Sequence, residues 1–176
     1  MCRWTDGLIS LSLDEVKEIP LEEVYTELGL GDELLTMVVL SLEGEPGGEM
    51  ILTFDDVNGR RLAATLLGQS YEPSGEWTEL EKSALTETGN ILGCAYMNAL
   101  TRMIEHKLVP SPPYFIQDYG ISVLQQALMP QVMHSDMVTI CRTIFRREGE
   151  ALSWHVLFVP TQELRELMEK AIHAKK

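Results

Sequence analysis

Residues 37–68 read MVVLSLEGEPGGEMILTFDDVNGRRLAATLLG, and the fold is argued from this stretch. Val38, Leu40 and Leu42 alternate with less apolar neighbours, the period of a strand with a buried face. Gly47-Gly48 supplies a turn, and Met50 to Phe54 run back as a second strand. A helix follows from about Asp56 to Leu67 and stops at Gly68, a residue suited to a left-handed C-terminal cap. Residues 138–172, VTICRTIFRREGEALSWHVLFVPTQELRELMEKAI, repeat the plan. There Arg147-Glu148-Gly149 is the turn, Ala151 to Val159 return, and Thr161 caps a helix running to about Ala171.

The parallel extends backward from each hairpin. Leu8 to Leu13, LISLSL, reads as a short strand, and Pro20 opens a short helix through about Leu28. In the second half Leu108 to Pro110 begins the matching piece, and Asp118 to Leu128 is the matching helix. An offset of roughly one hundred residues between two similar units points to a duplication. The expected fold is α+β: one domain over residues 1–176, built from pseudo-duplicated αββα halves whose antiparallel sheet packs against long helices. The first half spans about residues 8–68, the second about 78–172, with the polar segment QSYEPSGEW, residues 69–77, as linker. One element breaks the symmetry. The second half opens with a long helix from about Glu79 to His106, whereas MCRWTDG alone precedes the first strand. Either the first copy of that helix was lost or the chain starts downstream of the ancestral one.

Composition narrows the function classes. Hydrophobic residues make up 45% of the 176, enough for a core, and charged residues 23%. No apolar run reaches the roughly 18 residues of a membrane span, and the N-terminus lacks the pattern of a secretion signal, so a cytoplasmic protein is expected. The three cysteines, Cys2, Cys94 and Cys141, are scattered without a CxxC, and the four histidines lack an HxxxH spacing. Neither a disulfide framework nor a metal site held by this chain is expected. A formal net charge of −13 disfavours nucleic acid and anionic membrane surfaces as partners.

The chemistry-bearing stretch is residues 79–100, ELEKSALTETGNILGCAYMNAL. Thr78 and Glu81 form a capping box that marks the helix start. At about 100° per residue, Leu85, Leu92, Ala95, Ala99 and Met103 share an apolar face expected to dock on the sheet. Ser83, Glu87, Asn90 and Cys94 fall within a stripe of roughly 60° on the other side. Gly89 and Gly93 each cost a helix about 1 kcal/mol relative to alanine. They suggest close approach of another surface, either a partner at the polar face or a neighbouring helix packed on small residues. A solvated face is the plain alternative for Glu87 and Asn90. A carboxylate can pair with a cation, and a carboxamide can hold a water at a fixed angle. No histidine, lysine or cysteine pair stands by to activate a nucleophile, so the pair suits a protein that completes a partner's active site.

Ser83, then Glu87 four residues on, Asn90 three further, and Pro113 after an interval of 22 residues match a spaced signature. With the flanking VPSPPYFIQD and the duplicated organisation, the chain resembles the CheC/CheX/FliY phosphatases of bacterial chemotaxis. The resemblance implies a CheC-like fold and dephosphorylation of a phosphorylated CheY-type response regulator. It implies that Asn90 inserts and orients the attacking water, and that Glu87 pairs with the regulator's active-site lysine. Ser83, Gly89, Gly93 and Cys94 would form the docking face, Pro113 would shape the segment leaving the helix, and Mg²⁺ would come with the regulator. CheC proteins also bind the receptor deamidase CheD, and the single-site CheX works as a homodimer; the shortened first half leaves both contacts open here. The competing function is a catalytically silent binding module, like the middle domain of the flagellar switch protein FliM, which has the same fold without the Glu/Asn site. A hydrolase with Cys94 as nucleophile is the weakest reading, since no histidine is placed to activate it.

Overall fold

The computed structural model describes residues 10–27, 34–44, 46–71, 75–122, 137–147 and 150–173. A strand β1 (Ser10–Pro20) leads through a single 3₁₀ turn (Leu21–Glu23) into a short helix α1 (Val24–Glu27). The first hairpin pairs β2 (Leu34–Glu43) with β3 (Gly48–Asp55), and helix α2 (Asp56–Leu67) follows. The long helix α3 (Glu79–Ile104) comes next, then the short strand β4 (Val109–Pro110) and β5 (Tyr114–Tyr119). The second hairpin is β6 (Met137–Arg147) with β7 (Glu150–Pro160), followed by α4 (Gln162–His173). None of the helices among the described residues is long and apolar enough to cross a membrane.

The strands form one antiparallel sheet in the order β1-β6-β7-β3-β2, with β4 and β5 both paired to the outer side of β2. The α+β fold and the paired hairpins agree with the sequence. The topology adds what periodicity could not: each half's leading strand crosses over. β1 pairs with β6 of the second hairpin, and β5 pairs with β2 of the first. β3 and β7 meet at the centre, from Gly48 opposite Pro160 to Thr53 opposite His155.

Both faces of the sheet are buried. On one, Val38, Leu40, Leu52 and Phe158 pack with Leu62 of α2, Leu85 and Leu92 of α3 and Leu164 of α4. On the other, Met37, Val39, Ile51 and Leu157 pack with Val24 and, partly buried, Leu21 and Tyr25. β2 is therefore buried at consecutive positions from Leu35 to Leu40, not alternately as its expected single-faced pattern required. Local signals mark the helix ends. Asp55 accepts from the Asn58 backbone N–H to cap α2, and Gly68 closes it at φ 63°, ψ 28°. Thr161 Oγ1 accepts from the Leu164 N–H at the start of α4.

Four expectations are corrected. The first strand does not end at Leu13 but continues to Pro20, its register shifting between Leu13 and Glu15. Asp118 does not start a helix: YFIQDY, rich in aromatic and β-branched residues, is strand β5. Helical backbone begins at Gly120, and the rest of the expected helix, residues 123–128, lies outside the described residues. The linker is not wholly a polar spacer, because Trp77 is a core residue. The apolar stripe of α3 is also different. The buried row is Leu85, Gly89, Gly93 and Met97, spaced by four, with Thr88 and Leu92 beside it; Ala95 and Met103 are half-buried and Ala99 is exposed. Steps of four advance the face by about 40° each, so a helix crossing a sheet along such a row turns its buried side as it goes. A fixed 100° projection over 26 residues misses that turn.

Candidate active site

The start of α3 is set by its capping box. Thr78 Oγ1 accepts from the Glu81 N–H, and a Glu81 carboxylate oxygen accepts from the Thr78 N–H at 2.8 Å. One turn on, Lys82 pairs with Glu79 at 2.8 Å. The two glycines then decide how the helix lies. A Cβ on Gly89 would stand 2.4 Å from Val38 Cγ1, and one on Gly93 would stand 2.6 Å from Leu40 Cδ2. Both glycines are buried against β2. Their expected place in a partner-docking face is thus corrected: the surface that approaches them is this chain's own sheet. Thr88, also fully buried on this side, satisfies its hydroxyl by donating to the Ala84 carbonyl at 2.8 Å.

Pinning that side presents the other. Ser83 and Glu87 are exposed and Asn90 is half-buried, all on the outward side of α3. The Cys94 thiol, half-buried one turn beyond, is within hydrogen-bonding reach of Asn90 Oδ1 at 3.7 Å. That geometry makes Cys94 a neighbour of the carboxamide rather than a group free to act alone.

Pro113 arrives from a distant part of the chain. The Ser111 N–H donates to the Ser41 carbonyl at 2.7 Å, and Ser111 Oγ accepts from the Ser41 N–H at 3.0 Å, which moors the segment to β2. β5 then runs along β2, with Phe115 opposite Val38 and Tyr114 opposite Val39. Between this segment and α3 lies an open groove of about 470 Å³. Ser83, Thr86 and Glu87 line one wall, Pro113, Tyr114 and Phe115 the other, and the Glu79–Lys82 pair also lines it. Three of the four spaced positions, Ser83, Glu87 and Pro113, therefore meet at one groove, and Asn90 stands on the same helix one turn past Glu87. The wall residues Tyr114 and Phe115 were not anticipated, although the aromatic and β-branched run after Pro113 carried the strand signal that places them.

The ionisable groups around the groove are mostly solvated. Burial raises the Tyr114 hydroxyl above its ordinary pKa, and the charge of Glu49 adds to the effect. Glu49 itself is raised by burial, partly offset by the hydrogen bond it accepts from Ser41 at 3.1 Å. Among the described residues no three His, Cys, Asp or Glu side chains cluster as a metal site. The groove can offer two carboxylates, one of them paired with the Lys82 ammonium, three hydroxyls, a nearby carboxamide and an apolar wall. That is equipment for binding a polar surface and holding a water, without a nucleophile of its own.

No family model matches the chain. Among curated proteins it is similar to the CheY-P phosphatase CheC of Bacillus subtilis, 25% identical over 179 residues, covering 99% of this chain and 85% of that one. A CheC1 protein of Halobacterium salinarum is 24% identical over 130 residues, covering 74% of this chain and 66% of that one, just under two thirds of its length. Among solved structures, FliY of Thermotoga maritima superposes with a TM-score of 0.71 at 17% identity, covering 96% of this chain and 83% of that one. FliM of H. pylori, solved in complex with SpeE, gives 0.64 at 12% identity, covering 92% and 78%. CheX of Borrelia burgdorferi, solved in complex with CheY, BeF3 and Mg²⁺, gives 0.54 at 17% identity, covering 81% and 93%.

Proposed function

This chain is a member of the CheC/CheX/FliY family, and from that premise we propose that it docks on a phosphorylated CheY-type response regulator and accelerates hydrolysis of its aspartyl phosphate. The observation that carries the reading is the meeting of Ser83, Glu87 and Pro113 at one groove, with Asn90 presented on the same rigidly seated helix.

The chemistry fits so small a set of groups. Water adds to phosphorus while the bond to the aspartyl oxygen breaks. The aspartate leaves as a carboxylate, and both protons of the water end on the released dihydrogen phosphate. The products balance without a general base, so what remains to supply is position and charge. Asn90 would donate to and accept from the attacking water and hold it in line. Glu87 would pair with a cationic side chain of the regulator, and the groove would seat the surface around it. Mg²⁺ would come with the regulator; the solved complex of the CheX relative holds CheY, BeF3 and Mg²⁺ together.

The FliM-like neighbours favour a second reading, a binding module without catalysis. One experiment separates the two: phosphate release from a phosphorylated CheY-type regulator of the same cell, with the native chain and with Asn90→Ala. Acceleration that vanishes in a folded Asn90→Ala variant supports the phosphatase. Binding without acceleration for any cognate regulator supports the silent module.

A further inference from the structure

Beneath the apolar wall of the groove lies a buried cation that the proposed chemistry does not use. Arg60 of α2 is 6% exposed. Its Nε donates to Asp56 Oδ2 at 2.9 Å, and its Nη2 donates to the Gly75 carbonyl at 2.6 Å. The guanidinium lies over the Trp77 ring, 4.5 Å from the centroid. Trp77 Nε1 donates to the other oxygen of Asp56 at 3.1 Å. On its other contact the indole meets Phe115, centroids 5.5 Å apart and planes at 58°. A Cβ on Gly59 would stand 3.2 Å from Trp77 Cη2, so the ring is also held from below by α2.

A buried guanidinium is tolerated only when its donors are met, and a planar, five-donor group is suited to grip a carboxylate, a carbonyl and a ring at once. The position of this cluster matters more than its composition. Trp77 immediately precedes Thr78, the cap that starts α3, and Phe115 is part of the opposite wall. The guanidinium, indole and tilted phenyl groups thus join the residue before the α3 cap to Phe115 of the opposite wall from one anchor on α2.

We propose that Arg60 and Trp77 are positioning residues for the docking groove, fixing the first turns of α3 relative to β5 so that the groove is preformed for the regulator. The proposal rests on the phosphatase reading for its assay but not for its geometry. Asn90 lies three turns into α3, beside the separate anchor of Gly89 on Val38, so the cluster governs docking and not the chemical step.

The test uses the full chain with Trp77→Leu, Trp77→Phe, Arg60→Met and Arg60→Lys, each assayed for KM and kcat toward the phosphorylated regulator. Trp77→Leu and Arg60→Met are expected to raise KM roughly tenfold with kcat held within about twofold. Trp77→Phe, which keeps the ring contacts, should return KM to within about twofold of native. Arg60→Lys, which keeps charge but not the planar stack, should follow Arg60→Met. A packing role alone would lower the folded fraction, and so kcat, with KM unchanged; that result overturns the proposal. A second readout is taken on the free protein, from the backbone amide NMR shifts of Ser83 and Glu87. They should move in Trp77→Leu beyond the change in ring current and return in Trp77→Phe. Unmoved shifts overturn the positioning role whatever the assay gives. A native chain that accelerates nothing overturns the phosphatase reading, and the shifts then judge the positioning role by themselves. Should Trp77→Leu fail to fold, the two Arg60 variants decide.

Discussion

At the scale of single residues, position on α3 separates roles that composition alone leaves mixed. Glu87 is exposed at the groove, so Glu87→Ala should leave the thermal midpoint unchanged while raising KM for the phosphorylated regulator. Unaltered kinetics in that variant would remove the proposed cation pairing. Glu49 makes a contrasting case. Burial lifts its folded pKa above the ordinary carboxylate value, so the folded state holds its proton more tightly than the unfolded chain does. The associated stability is fully present below the unfolded pKa of about 4.3 and is lost as pH rises through the folded pKa. Glu49→Gln removes the cost of burying the charge. Its thermal midpoint should therefore exceed the native one at pH 7, with the gap closing as the pH is lowered to about 4. A constant gap across that range would assign the effect to packing.

At the scale of elements, the seating of α3 on β2 is the contact that makes the site rigid. Gly89→Ala gains about 1 kcal/mol of helix propensity but adds a methyl against Val38, whose branched side chain has little rotamer freedom. Overpacking of that kind costs about 1–3 kcal/mol, so chemical denaturation should show net destabilisation; a stabilised variant would mean that α3 can lift from the sheet without penalty. The same contact shows what could be read from sequence. The caps at Thr78, Gly68 and Thr161 are written in adjacent residues, and each element boundary they mark was legible. So were the two hairpins and the outward stripe of Ser83, Glu87 and Asn90. The meaning of Gly89 and Gly93 was not, because a missing side chain records close approach but not which surface approaches. Phe115 and Trp77 escaped for a related reason: their value lies in a contact between segments far apart in the chain.

At the scale of the molecule, the halves are interlocked rather than adjacent. Among the described residues β1 pairs with β6 alone, and β5 with β2 alone. Chains cut within residues 72–74 should therefore yield two fragments that lack dispersed NMR spectra alone and regain them on mixing. A first fragment folded by itself would show that the crossed strands are dispensable. The intact chain should lose sheet and groove in one transition, with tryptophan fluorescence and far-UV dichroism coincident. The crossing also sets an order of events on the ribosome. β1 is made early, and the first residue of β6, Met137, follows more than one hundred residues later. At about 5–20 residues per second this leaves β1 without its neighbour for on the order of ten seconds. During that interval it is a bare edge able to pair with other nascent chains. Completion of the sheet is thus an event of late translation, and slower elongation would lengthen the exposure of this one strand.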